Sequence, residues 1–206
     1  MLRLGDPLAI AITLVAVLVA ATCHEYAHAL VADRLGDPTP RARGRLSLNP
    51  LVHLDPLGTV FFVVFGFGWA RPVPVNPRYF ADPRRGMLQV ALAGPLANVM
   101  VAFLVGGLLK APGLPGGRLT ASVLETLVLI NIILAIFNLI PIPPLDGSRI
   151  VESLLAGREA QTYARLQPYG TLLLLVLLYT GVVGHIMLPA VYWLYQASTG
   201  GLPGLL

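Results

Sequence analysis

Charge is scarce in this sequence: 12% of its 206 residues are Asp, Glu, Lys or Arg, about half the share of an ordinary soluble domain. Lysine is almost missing, with Lys110 the single one among 14 basic residues. The one cysteine, Cys23, excludes an internal disulfide and any cysteine-rich zinc site, and its plain reading is a small buried apolar side chain. No internal repeat or polar linker divides the chain, and its length leaves no room for a second soluble domain. Basic residues exceed acidic ones by 14 to 10, but in a chain that is 56% hydrophobic, with mean hydropathy +0.75, that excess points to membrane topology rather than nucleic-acid binding. One membrane-embedded domain over residues 1–206 is expected, in contact with a lipid bilayer.

Apolar length is what the sequence has instead. Four stretches, roughly 7–32, 87–110, 121–142 and 170–195, reach the ~20 residues that a helix needs to cross a bilayer core. The first could pass for a signal peptide, but only Arg3 precedes it and ionisable residues end it, so we expect it to be retained. A fifth stretch, Leu57 to Ala70, is too short for a comfortable span. Its core, Thr59 to Phe65, is β-branched and aromatic, which favours extended chain. Basic residues flank it on both sides: Arg34, Arg41, Arg43 and Arg45 before, Arg71, Arg78, Arg84 and Arg85 after. The stretch should therefore dip into the membrane and return. With Arg149, Arg158 and Arg165 counted on the same side, Arg3, Lys110 and Arg118 are left on the other. This asymmetry predicts both termini outside the cell membrane and the loops inside. The expected fold is an all-α polytopic membrane protein, with about four transmembrane helices plus a short re-entrant extended hairpin.

The first apolar stretch contains His24-Glu25-Tyr26-Ala27-His28. Ionisable groups in hydrocarbon are expensive unless something binds them. On a helix, His24 and His28 share a face and can grip one metal ion, with Glu25 beside it as candidate general base. At 1.5 Å per residue the pair should lie roughly 5–12 Å below the cytoplasmic surface. Catalytic zinc wants three protein ligands and an open position, so a third ligand must come from elsewhere. Asp146 leads, because Pro141, Pro143 and Pro144 force the chain into an extended form at that depth. Asp33, Asp37, His53, Asp55 and His185 remain as weaker alternatives.

Three motifs in order resemble the site-2 protease family of intramembrane zinc metalloproteases: His24 to His28, then Gly94-Pro95-Leu96-Ala97-Asn98, then the run from Asn138 to Leu145-Asp146-Gly147. The resemblance covers about residues 8–150, the catalytic core, with the span at 170–195 additional. It implies one Zn2+ per chain on His24, His28 and Asp146, with Glu25 as acid/base. It also implies that Asn138 holds the substrate backbone or the developing oxyanion. Members with PDZ or CBS modules filter substrates through them, and this chain has no length for either. Gly94 is expected as a packing contact, whereas Asn98 is a candidate substrate-binding residue facing the cavity. An unwound transmembrane substrate could pair with the re-entrant stretch around Val60, Phe61, Phe62 and Val63. The family expectation is intramembrane proteolysis of single-span regulators, or clearance of signal-peptide remnants. Oligomeric state is left open. A membrane metal transporter is the rival reading, and it gives Glu25 no special duty.

Overall fold

The computed structural model describes residues 6–65, 68–111 and 115–201. Nine α-helices lie among them: α1 Pro7–Arg34, α2 Thr39–Ala42, α3 Pro56–Phe65, α4 Pro83–Leu109, α5 Gly117–Asn138, α6 Asp146–Leu154, α7 Gly157–Ala164, α8 Gln167–Tyr179 and α9 Val182–Thr199. No strand occurs among the described residues, and one isolated antiparallel bridge joins Leu54 to Ala70. The chain is a multi-pass, all-α membrane protein.

Aspartate followed by proline opens three of these helices. Asp6 accepts from Leu8 N at 2.9 Å to start α1, and Asp82 accepts from Arg84 N and Arg85 N at 3.0 Å to start α4. Asp55 does the same for α3 through Gly58 N at 2.8 Å. Each side chain satisfies amides that the first turn leaves without partners, and the proline supplies a residue that needs no donor.

The helices α1, α4 and α5 are each long and apolar enough to cross a membrane, and they match three of the expected spans. They pack on one another as a three-helix bundle, with α6 against α4 and with α9 against α5 and α4. Many of the buried positions are small residues, Ala16, Ala20, Ala29, Ala32, Ala91, Ala102 and Ala135 among them, with Val90, Val128 and Ile132 the larger side chains inside. Lipid chains give helices no hydrophobic reason to associate, so close backbone approach through small side chains holds the bundle. Many large apolar side chains point outward, Leu8 and Val15 on α1 and Met100 and Leu104 on α4 among them.

Two expectations change. The fourth apolar stretch is bent rather than one continuous helix: α8 and α9 meet at 76° around Gly181, whose φ of +74° a left-handed turn requires. The re-entrant extended hairpin is also corrected, since residues 56–65 form a helix. A helix satisfies its own backbone inside an apolar environment, whereas an isolated hairpin does not, and this outweighs the strand preference of β-branched residues. Val60 and Phe61 are exposed on α3, Phe61 packing 5.2 Å from the Trp69 ring. The side chains of Phe62 and Val63 lie outside the described residues. The returning chain at residues 71–76 is neither helix nor strand; Pro72 and Pro74 bias Val73 between them towards extended backbone, and there it runs past α1.

Candidate metal centre

His24 and His28 project from one face of α1 and are buried against α4. Each ring is held from behind by an acceptor on α4. His24 Nδ1 lies 2.7 Å from Asn98 Oδ1, and His28 Nδ1 lies 2.7 Å from the Val90 carbonyl. A carbonyl or amide oxygen only accepts, so both Nδ1 atoms carry the proton and donate it. In the neutral rings the lone pairs then sit on Nε2.

Those two Nε2 atoms are 3.0 Å apart, and Asp146 Oδ2 lies 3.0 Å from one and 3.1 Å from the other. Asp146 is the first residue of α6 and is buried. It arrives there because the chain after α5 turns through Pro141, Pro143 and Pro144, and because Gly147 follows it. A Cβ at Gly147 would stand 2.3 Å from the Leu139 carbonyl oxygen and 2.4 Å from that of Ile140, so no other residue fits this fold-back.

Three acceptors facing one another at 3.0–3.1 Å repel unless a cation sits among them. The donor set, two imidazole nitrogens and one carboxylate oxygen, is that of a catalytic zinc site, and an ion about 2.1 Å from each corner fits a triangle of this size. Space beside it exists because residue 94 has no side chain. A Cβ there would stand 2.4 Å from His28 Nε2 and 2.6 Å from His24 Nε2. Gly94 is thus part of the cradle rather than the packing contact expected from sequence.

Glu25 is half-buried one residue along α1, and its Oε2 accepts from Val73 N at 3.1 Å. The chain that donates is itself tied down. Asp37 Oδ2 accepts from Asn76 N at 2.7 Å, and the buried Arg45 guanidinium donates to the Val52 and Arg71 carbonyls. Burial lowers Arg45, which nonetheless stays a cation bridging two loops.

Other expected residues lie elsewhere. Asn98 is fully buried with its amide spent on His24, Ala20 and Asn131, so it has no polar atom for a substrate; it serves the histidine instead. Asn138 donates to Leu134 O at 3.0 Å and makes no hydrogen bond to the cluster. Among the alternative third ligands, Asp33 pairs with Arg41 at 2.7 Å, Asp37 caps Thr39 N, Asp55 caps α3 and His53 Nε2 donates to Ser47 O at 2.8 Å. His185 is exposed on α9, its Nδ1 3.0 Å from Gly181 O. Val73, Val90 and Asn131 were missed. Of these only Asn131 left a signal, as an amide in the middle of an apolar span.

Comparison with known proteins agrees with this chemistry. Residues 117–180 match the model of peptidase family M50. The protein named "Putative zinc metalloprotease YwhC" of Bacillus subtilis is 40% identical over 182 residues, which cover 85% of this chain and 83% of that protein. "Putative zinc metalloprotease Rip2" of Mycolicibacterium smegmatis is 31% identical over 186 residues, covering 88% and 71%. "Putative zinc metalloprotease MJ0611" of Methanocaldococcus jannaschii is 32% identical over 152 residues, covering 68% and 69%. No solved structure gives a significant match.

Proposed function

From the premise that this chain belongs to peptidase family M50, as a zinc metalloprotease of the site-2 type, we propose that it hydrolyses peptide bonds within or beside transmembrane segments, using one zinc ion on His24, His28 and Asp146 and Glu25 as general base. The observation that carries the ligand assignment is the convergence of three buried acceptors, two of them imidazoles whose other nitrogen is already committed as a donor. Zinc, when bound, polarises a carbonyl and lowers the pKa of water towards about 7.

The chain's own residues do the rest. His24 and His28 reach the site as neutral ligands because Asn98 and Val90 take their Nδ1 protons. Glu25 is fixed through Oε2 by the Val73 amide, while Oε1 makes no hydrogen bond among the described residues. That free oxygen takes the proton of the attacking water and later returns it to the leaving amine, a role worth roughly 10²–10⁴ in rate. A substrate helix keeps its peptide bonds hydrogen-bonded internally, so it has to unwind locally before a carbonyl reaches the site. Asn138 spends one amide hydrogen on the Leu134 carbonyl, and its second amide hydrogen is the one it would offer to a substrate backbone or oxyanion.

The same reading sets the site near the cytoplasmic face with both termini outside, an orientation supported by the basic residues clustered between α1 and α4 and after α5. Suitable substrates are the spans of single-pass regulators and signal-peptide remnants, because both offer one helix that can be unwound.

The test is cleavage of a panel of transmembrane peptides by purified protein in detergent, with product masses and zinc content recorded, beside Glu25→Gln. We expect cuts inside the apolar segment, a loss of roughly 10³-fold or more in the variant, and zinc retained in both. Zinc bound with no cleavage by either protein would leave a metal-binding membrane protein and sink the proposal.

A further inference from the structure

We infer that Asn131 is a positioning residue of the metal centre, setting through Asn98 which nitrogen of His24 faces the ligand cluster. The inference rests on the reading of His24 as a metal ligand, and it concerns a residue on a third helix that touches no reacting atom.

Asn131 lies in the middle of α5 and is fully buried. A primary amide in such a place is costly unless every polar atom is paired. Its Nδ2 donates to Leu127 O at 2.8 Å, which leaves Oδ1 facing α4. There it accepts from Asn98 Nδ2 at 2.8 Å. The other hydrogen of the Asn98 amide goes to Ala20 O at 2.9 Å. With both hydrogens spent, Asn98 can present only its oxygen to His24 Nδ1, 2.7 Å away. The Nδ1 atom must therefore carry the proton, and the Nε2 lone pair points at His28 and Asp146.

The two histidines differ in how this is secured. His28 is held by the Val90 carbonyl, a backbone oxygen that cannot turn round. His24 is held by an amide whose oxygen and nitrogen have nearly the same shape, so a half-turn about one bond would replace acceptor by donor. A turned Asn98 would aim its NH2 at His24 Nδ1 and drive the ring proton to Nε2, where the ligand lone pair has to be. Two acceptors oppose that turn, Ala20 O on α1 and Asn131 Oδ1 on α5. The metal ligand is thereby oriented by all three helices of the bundle, through one chain of hydrogen bonds that begins at the Leu127 carbonyl.

A buried asparagine can also act simply as a tie between helices. The two roles separate in a double-mutant cycle, because a positioning residue that works through Asn98 has nothing left to do once Asn98 is gone. The experiment measures zinc affinity by competition with a chelator for the wild type, Asn131→Leu, Asn98→Ala and the double variant, with thermal melting of each metal-free protein. Partners that orient a ligand are worth 10–100-fold in metal affinity. We expect about that loss for Asn98→Ala, roughly 5–10-fold for Asn131→Leu, and a double variant no weaker than Asn98→Ala alone.

If Asn131→Leu lowers the melting temperature but leaves zinc affinity unchanged, or if the two losses multiply in the double variant, Asn131 is only a tie and the inference fails. A wild type that binds no zinc fails earlier, at the ligand reading itself. Should Asn131→Leu not accumulate, Asn131→Ser carries the same test, since its hydroxyl is too short to span to Asn98. Nitrogen-15 spectra of histidine-labelled metal-free protein add a direct readout: His24 protonated at Nδ1 in the wild type, and a mixture of tautomers in the variant. An unmixed tautomer in the variant would also overturn the inference.

Discussion

The most exposing perturbation of the metal centre is a single methyl group, Gly94→Ala. Its Cβ would stand 2.4 Å from His28 Nε2 and 2.6 Å from both Nε2 and Cε1 of His24. Carbon and nitrogen otherwise keep about 3.5 Å apart, so roughly 1 Å of movement is demanded of each ring. Neither ring is free to give it. Their far nitrogens are bonded at 2.7 Å to Asn98 Oδ1 and Val90 O, and those acceptors are buried. Breaking a buried hydrogen bond and leaving one partner unpaired costs about 1–3 kcal/mol, so two at about 1.5 kcal/mol give about 3 kcal/mol. That is roughly a 100-fold loss of zinc affinity. If the rings hold instead, the methyl occupies the space beside both ligand lone pairs and the loss is larger. Helix propensity works in the opposite direction, since alanine is better than glycine in a helix by about 1 kcal/mol. Gly107, on the same helix with nothing within 4 Å of its added Cβ, isolates that term. Purified Gly94→Ala and Gly107→Ala would be compared by chelator competition and by thermal melting. Gly107→Ala should bind zinc as the wild type does and melt no lower. A Gly94→Ala protein whose zinc affinity stays within about threefold of the wild type would refute the cradle and, with it, the geometric argument for the ion's place.

Two further outcomes follow from the neighbouring geometry. Gly147→Ala puts a Cβ 2.3–2.4 Å from two backbone oxygens that cannot swing aside, so Asp146 must move; zinc content should fall while circular dichroism still reports an intact helical bundle, and full zinc occupancy would contradict this. Val73→Pro removes the amide that holds Glu25 while fitting a segment already flanked by Pro72 and Pro74. A charge-assisted hydrogen bond of about 1.5–2 kcal/mol is lost, so cleavage should slow roughly 10-fold or more with zinc unchanged, and an unaltered rate would remove Val73 from the account.

Much of this centre is legible in the sequence because its parts obey spacing within one element. His24 and His28 are four residues apart, so helical geometry alone puts them on one face. Three prolines before Asp146 prevent a helix from continuing. What spacing cannot supply is which face of α4 meets α1. Val90, Gly94 and Asn98 are themselves spaced by four and form a stripe along α4, but only Asn98 in it is polar, and one amide does not tell which helix the stripe meets. Gly94 therefore reads as ordinary packing and Asn98 as a residue for substrate. Only contact with α1 shows that the stripe backs two imidazole rings, with an acceptor, a gap and another acceptor in turn.

The helix at 56–65 follows from the pair of residues that opens it. Asp55-Pro56 is the same pair as Asp6-Pro7 and Asp82-Pro83, and all three aspartates cap first-turn amides at 2.8–3.0 Å. The shorter Asn49-Pro50 and Asn76-Pro77 pairs do likewise for single 3-10 turns, through Leu51 N and Arg78 N. A cap is a local hydrogen bond whose value survives in any surroundings. The strand preference of Thr59 to Phe65 is different in kind, since it reflects packing against neighbouring strands, and none occurs among the described residues. Where a start signal of defined chemistry meets an apolar run with no partner strand, the cap should decide. In this protein that choice has a functional consequence: the chain that reaches Glu25 is not the apolar run itself but the proline-rich return after it, whose Val73 amide holds the carboxylate that the proposed chemistry needs.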